Sequence, residues 1–130
     1  MRRVTAAAGV LFGFVLVACA TASADPVTAD HVALDEFSIA TTGESWRAGS
    51  INLSVDNVGE RDHTLVVSRE SGEVVAATEI VAPGDVLEFE VALGAGTYQL
   101  TCRIVVEGGN GAIFDHFEQG MHTTIEVVEP

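Results

Sequence analysis

The sequence has no lysine: all six basic residues among its 130 are arginines, set against 19 aspartates and glutamates. A formal net charge of −13 leaves no basic surface to neutralise phosphates, which excludes nucleic-acid binding and electrostatic attachment to an anionic membrane. Cysteine is nearly absent, with only Cys19 and Cys102 present. Helical periodicity is missing after the first thirty positions, and alternation of apolar with polar residues takes its place. No internal repeat occurs, and the only biased stretch is the short run Ala20 to Thr28.

The N-terminus reads as a targeting segment to be set aside before fold reasoning. Arg2 and Arg3 are followed by an apolar stretch from Val4 to Ala18. At about 15 residues it falls short of the roughly 20 that a membrane-spanning helix needs. It ends in Leu16-Val17-Ala18-Cys19, which resembles the lipobox of bacterial lipoproteins. That resemblance implies residues 1–18 as signal peptide, Cys19 as the lipidated first residue, and 19–31 as a flexible tether. Cleavage after Ala22-Ser23-Ala24 is the competing reading, and it would discard Cys19. Either route puts the protein outside the cytoplasmic membrane, on its outer face or in the cell envelope if anchored, or secreted if cleaved.

Either route also leaves Cys102 as the one free thiol. In an oxidising compartment an odd cysteine is a reactive group or a ligand, and coordination protects it. With the two leader arginines gone, four arginines face 19 acidic residues, a formal charge of −15. Such acidity keeps a surface solvated, and it also suits steering toward a basic partner such as a cytochrome.

Roughly 100 residues remain after Asp30, enough for one domain with one core, assigned to 32–130. Strand-like runs are Val32–Ile39, Ile51–Asp56, His63–Ser68, Glu73–Val81, Val86–Val91, Tyr98–Val105 and Thr123–Val128. Turn residues separate them at Val58-Gly59, Ser71-Gly72, Pro83-Gly84-Asp85 and Gly94-Ala95-Gly96. About seven to eight short strands at this spacing predict an all-β, Greek-key sandwich. Alternation puts Tyr98, Leu100 and Cys102 on one face of their strand, and His63, Leu65 and Val67 on one face of theirs.

Two imidazoles (His63 and His116), the Cys102 thiolate and the Met121 thioether then stand out. Singly each is ordinary: a histidine before a strand often caps it, and a methionine or cysteine often only packs. Together they are the donor set of a site in which two His and one Cys form a trigonal plane and a Met binds weakly on its axis. His122, at the start of the last strand, reads as a surface residue or one that supports a ligand. His31 falls in the tether.

In these features the chain resembles the cupredoxins, the plastocyanin-like blue-copper proteins. The matching pieces are Glu36-Phe37-Ser38, Asn57-Val58-Gly59 before His63-Thr64-Leu65, Ala82-Pro83-Gly84, Gly96-Thr97-Tyr98 with Cys102, and His116 with Gly120-Met121. The resemblance implies a cupredoxin sandwich with one copper ion, His63, Cys102 and His116 as equatorial ligands and Met121 as the axial one. It also implies one-electron transfer without a catalytic residue, hence no enzyme, and a redox partner such as a cytochrome. One feature departs from the family: thirteen residues, Arg103 to Asp115, separate Cys102 from His116, and Gly108-Gly109-Asn110-Gly111 within them suggests a flexible excursion. Copper delivery or sequestration, and a metal-free sandwich used as an accessory domain, are the alternatives. Asn57, on the same segment as His63, reads as a hydrogen-bond donor close to the site.

Overall fold

The computed structural model describes residues 29–130. The signal segment and Cys19 lie outside the described residues. No described helix is long and apolar enough to cross a membrane. In chain order the strands are β1 (Asp30–Asp35), β2 (Ser38–Thr41), β3 (Ser45–Arg47), β4 (Gly49–Asn57), β5 (Val66–Arg69) and β6 (Val74–Ala77). They continue with β7 (Val86–Leu93), β8 (Gly96–Thr101), β9 (Val105–Glu107), β10 (Ile113–Asp115) and β11 (His122–Val128).

One sheet has the order β2-β1-β4-β7, and the other β3-β11-β8-β5-β6. The β1/β4 and β3/β11 pairs are parallel, and the remaining pairs are antiparallel. Period-two alternation builds the core between the sheets. Val32 and Leu34 from β1, with Ile51, Leu53 and Val55 from β4, face Val67, Tyr98, Leu100, Ile125 and Val127 from the other sheet. Each fully buried Val or Leu side chain contributes about 1.5–3 kcal/mol of transfer free energy. Tyr98 donates its hydroxyl to the Gly94 carbonyl at 2.9 Å, which pins the turn into β8, the strand that leads to Cys102.

Three elements differ from the sequence expectation. The run Val32–Ile39 is two strands, because the chain reverses at Glu36-Phe37 and β2 pairs back on β1. β1 begins at Asp30, so His31, read as tether, is a strand residue whose carbonyl accepts from the Thr42 amide at 3.0 Å. The segment Arg103–Asp115 is no structureless excursion. β9 and β10 pair antiparallel as a hairpin, with Phe114 opposite Val106 and Asp115 opposite Val105. Its turn is closed by two backbone bonds: the Gly108 amide donates to the Ala112 carbonyl at 2.7 Å, and the Gly111 amide donates to the Gly108 carbonyl at 2.9 Å. The sequence also gave no warning of β3, a three-residue strand whose single apolar residue is the buried Trp46.

Candidate metal centre

Three segments meet at one pole of the sandwich. His63 lies between β4 and β5, Cys102 directly after β8, and His116 directly after β10. His63 is held by a two-way backbone bridge with Val81: its amide donates to the Val81 carbonyl at 3.1 Å, and the return bond is 2.8 Å. Asn57, at the end of β4, braces the same segment. Its amide nitrogen donates to the Arg61 carbonyl at 2.7 Å and the Val81 carbonyl at 2.8 Å, while its oxygen accepts from Gly59 N–H at 3.0 Å. Asn57 therefore acts on the backbone carrying His63; no bond joins it to the cysteine sulfur. His116 is tied down by donating its amide to the Ile104 carbonyl at 3.0 Å. Met121 bridges the other two segments, since its amide donates to the His116 carbonyl at 3.0 Å and its carbonyl accepts from the Cys102 amide at 3.1 Å.

The four side chains are buried, with His63, Cys102 and Met121 at 0% exposure and His116 at 1%. Among the described residues, His63, Cys102 and His116 form the cluster of donors whose spacing suits a metal ion. His63 Nδ1 and His116 Nδ1 are 3.2 Å apart, and Cys102 Sγ lies 3.5 Å from His116 Nδ1 and 3.9 Å from His63 Nδ1. A triangle with edges of 3.2, 3.5 and 3.9 Å has a circumscribed radius of about 2.1 Å, close to the 2.0–2.3 Å of metal–imidazole and metal–thiolate bonds. One ion at its centre reaches all three donors.

The hydrogen bonds around the triangle point the same way. His63 Nε2 lies 3.0 Å from Glu36 Oε1. A neutral ring that gives its Nε2 proton to a carboxylate keeps its lone pair on Nδ1, facing the cluster. The Thr64 amide donates to Cys102 Sγ at 3.4 Å, with the Thr64 hydroxyl at 3.8 Å, an arrangement that suits a thiolate. Three inward-facing donors in a buried space are costly without a cation, so the residues present fit a metal. One thiolate with two imidazoles and a buried thioether nearby is the donor chemistry of copper.

Glu36 escaped notice in the sequence as part of the site. Its carboxylate accepts from the Glu60 amide at 3.0 Å and the Arg61 amide at 2.8 Å as well as from His63. Burial alone would raise its pKa, but the two amides and the His63 ring together hold it at about 2, against an ordinary 4.5. The neighbouring Phe37 meets the His116 ring edge-on, with centroids 5.3 Å apart. Burial, aided by the nearby His63 and Arg61, lowers the His116 pKa and keeps that ring neutral and ready to ligate. His122 is exposed and outside the cluster; its ring packs against Phe117 at 4.9 Å, and Arg103 stacks over Phe117 at 4.5 Å.

A surface groove of about 370 Å³ reaches His116. Ile80, Ile104 and Val106 line its apolar side, and Glu60, Arg61 and Asp62 its polar side. On the hairpin, exposed Phe114 pairs with Val106 and shares its face, while Val105 and Ile113 are exposed on the other.

No protein-family model and no curated protein matches the chain. Solved structures do. Dithionite-reduced auracyanin from the photosynthetic bacterium Roseiflexus castenholzii aligns with a TM-score of 0.55 at 17% identity, covering 75% of this chain and 94% of its own. Auracyanin A, a blue copper protein from the green thermophilic bacterium Chloroflexus aurantiacus, aligns with a TM-score of 0.51 at 13% identity, covering 77% and 99%. The architecture is thus the all-β sandwich of the cupredoxin type. At these identities the likeness speaks for the fold, and the argument for a metal stands on the donors themselves.

Proposed function

We propose that this chain is an exported, non-enzymatic one-electron carrier that holds a single copper ion in the His63–Cys102–His116 triangle, with Met121 as the axial donor. The observation that carries the reading is the triangle: three buried donors from three separate segments, spaced for one ion. Copper in such a set supplies one-electron chemistry, because thiolate and thioether favour Cu(I) while imidazole accepts both oxidation states.

The protein's part is to hold the donors still. The Val81 bridge and the Asn57 brace fix His63, the Tyr98 corner and the end of β8 fix Cys102, and the Met121 backbone links Cys102 to His116. Donors that keep their places across both oxidation states reduce the rearrangement accompanying each electron. The apolar wall around the sulfur limits water, which would otherwise add a ligand.

A partner reaches the site at the groove beside His116. Its apolar centre and acidic flank, on a chain of formal charge −13, fit a redox protein with an apolar contact zone ringed by basic residues, such as a c-type cytochrome. A lipid on Cys19 would keep the domain at the outer face of the cytoplasmic membrane, within reach of membrane-bound electron donors. Copper delivery is the weaker reading, because exchange needs accessible ligands and these four are enclosed.

The test is an optical and paramagnetic resonance spectrum with one equivalent of Cu(II). Intense visible absorption with a narrow copper hyperfine splitting supports the carrier reading. Weak colour with ordinary tetragonal parameters moves the reading to copper handling, and the absence of stoichiometric binding overturns both.

A further inference from the structure

The reversal at Glu36-Phe37, between β1 and β2, places two adjacent side chains on two different imidazoles. Glu36 Oε1 is 3.0 Å from His63 Nε2, and the Phe37 ring lies edge-on to His116. Both ligand-bearing segments carry a glycine where this turn comes closest. A Cβ on Gly59 would lie 2.6 Å from the Glu36 carboxylate oxygens, and one on Gly120, whose φ is +117°, would lie 3.2 Å from the Phe37 carbonyl. The close approach is therefore built into three separate stretches of chain.

Glu36 is also committed to this position. Among the described residues no arginine pairs with it; its one ionisable partner is His63. The amides of Glu60 and Arg61 hold its carboxylate as well, converging on Oε1, the same oxygen that meets the His63 ring. With a side-chain exposure of 21%, it is mostly withdrawn from solvent, which strengthens its influence on anything nearby.

We propose that Glu36 is a positioning residue that selects Nδ1 as the ligating atom of His63 and biases the copper couple toward the oxidised state. A carboxylate on the far nitrogen fixes the tautomer and makes the near nitrogen a stronger donor. Its negative charge favours the more highly charged ion, so it lowers the reduction potential relative to the same site with a neutral partner. The second half of this inference rests on the copper reading, and the first half does not.

Two substitutions separate the two effects. Glu36→Gln keeps an acceptor for the Nε2 proton and removes the charge, whereas Glu36→Leu removes both. On the metal-free chain, nitrogen NMR of the His63 ring is expected to find the proton on Nε2 in the wild type and in Glu36→Gln. In Glu36→Leu the proton should redistribute between the two nitrogens. On the copper-loaded chain, Glu36→Gln is expected to keep the visible spectrum and raise the potential by about 59 mV or more, the one-electron equivalent of a tenfold change in relative affinity for the two copper states. Glu36→Leu should bind Cu(II) at least tenfold more weakly, in the range typical for lost outer hydrogen bonds to a ligand.

An unchanged potential in Glu36→Gln with the spectrum intact overturns the bias, and an unchanged ring proton in Glu36→Leu overturns the selection. If Glu36→Leu does not fold, the potential of Glu36→Gln decides. If the wild type binds no copper, the carrier reading fails, and the metal-free NMR still decides whether Glu36 selects the nitrogen.

Discussion

His63 and His116 approach within 3.2 Å, yet their surroundings are built from different materials. The His63 segment is a polar lattice of short bonds, with the Val81 bridge, the Asn57 brace and the Glu36 carboxylate all anchoring a few residues of backbone. The His116 segment hangs from a hairpin, borders a groove with one apolar and one polar side, and meets the edge of Phe37. One imidazole is held by a dense set of bonds, and the other borders an open groove. Stability and access are thus divided between two ligands.

Cutting back each ring in turn is the sharpest way to break that comparison. Replacing His116 by glycine opens a hole next to the groove, so added imidazole is expected to restore the copper spectrum. The same replacement at His63 leaves a hole closed off by Glu36 and the Val81 bridge, and rescue should be at least tenfold weaker. Titration of both variants with imidazole, followed by visible absorption, reads the difference. Equal rescue would erase the division proposed between the two ligands.

A step smaller is the loss of the brace. Asn57→Ala takes the side-chain donor from the Arg61 carbonyl and the acceptor from Gly59 N–H, and leaves the Val81 carbonyl with only the His63 amide, which is expected to cost about 2–3 kcal/mol in urea unfolding. Copper affinity should fall with it, because the lost bonds hold the His63 backbone. On the other side, the double change Val106→Ser and Phe114→Ser touches exposed positions and should leave stability within about 0.5 kcal/mol. Electron exchange with a basic c-type cytochrome is expected to slow about tenfold, as when a contact worth about 1.4 kcal/mol is lost. Stopped-flow mixing at two salt concentrations measures it.

The last effect appears in acid. Glu36 has its folded pKa depressed to about 2 from 4.5, so its stabilisation is complete above pH 4.5 and is lost as the pH falls toward 2. Metal-free Glu36→Gln lacks that component. Its unfolding free energy should fall less steeply than the wild type's across this window, as chemical denaturation at several pH values would show.

How far the sequence reveals these two surroundings differs as well. Cys102 at the end of a strand, and Gly120-Met121 after His116, are local patterns, and local patterns survive in a linear reading. Tyr98, Leu100 and Cys102 share their buried face as alternation requires. Glu36 was out of reach, since its partner is 27 positions away and nothing in the intervening chain announces the contact. The reversal beside it contains neither glycine nor proline, and its one trace in the sequence is a shift of phase in the apolar alternation, from Val32 and Leu34 to Phe37 and Ile39. The hairpin was closer to legible: Val105-Val106 and Ile113-Phe114 flank a glycine-rich turn, a pattern of strand, turn and strand.

The bonds at the base of that hairpin bear on the length of the ligand loop. Asp115 pairs with Val105, and the His116 amide closes on the Ile104 carbonyl. Thirteen residues of sequence thereby collapse to a short span of backbone between Cys102 and His116, with the surplus zipped up and pointing outward. The donor triangle is insulated from whatever the hairpin carries. The insertion is in effect an interchangeable head on a fixed socket, free to be lengthened, shortened or repainted while the three donors beneath it keep their places.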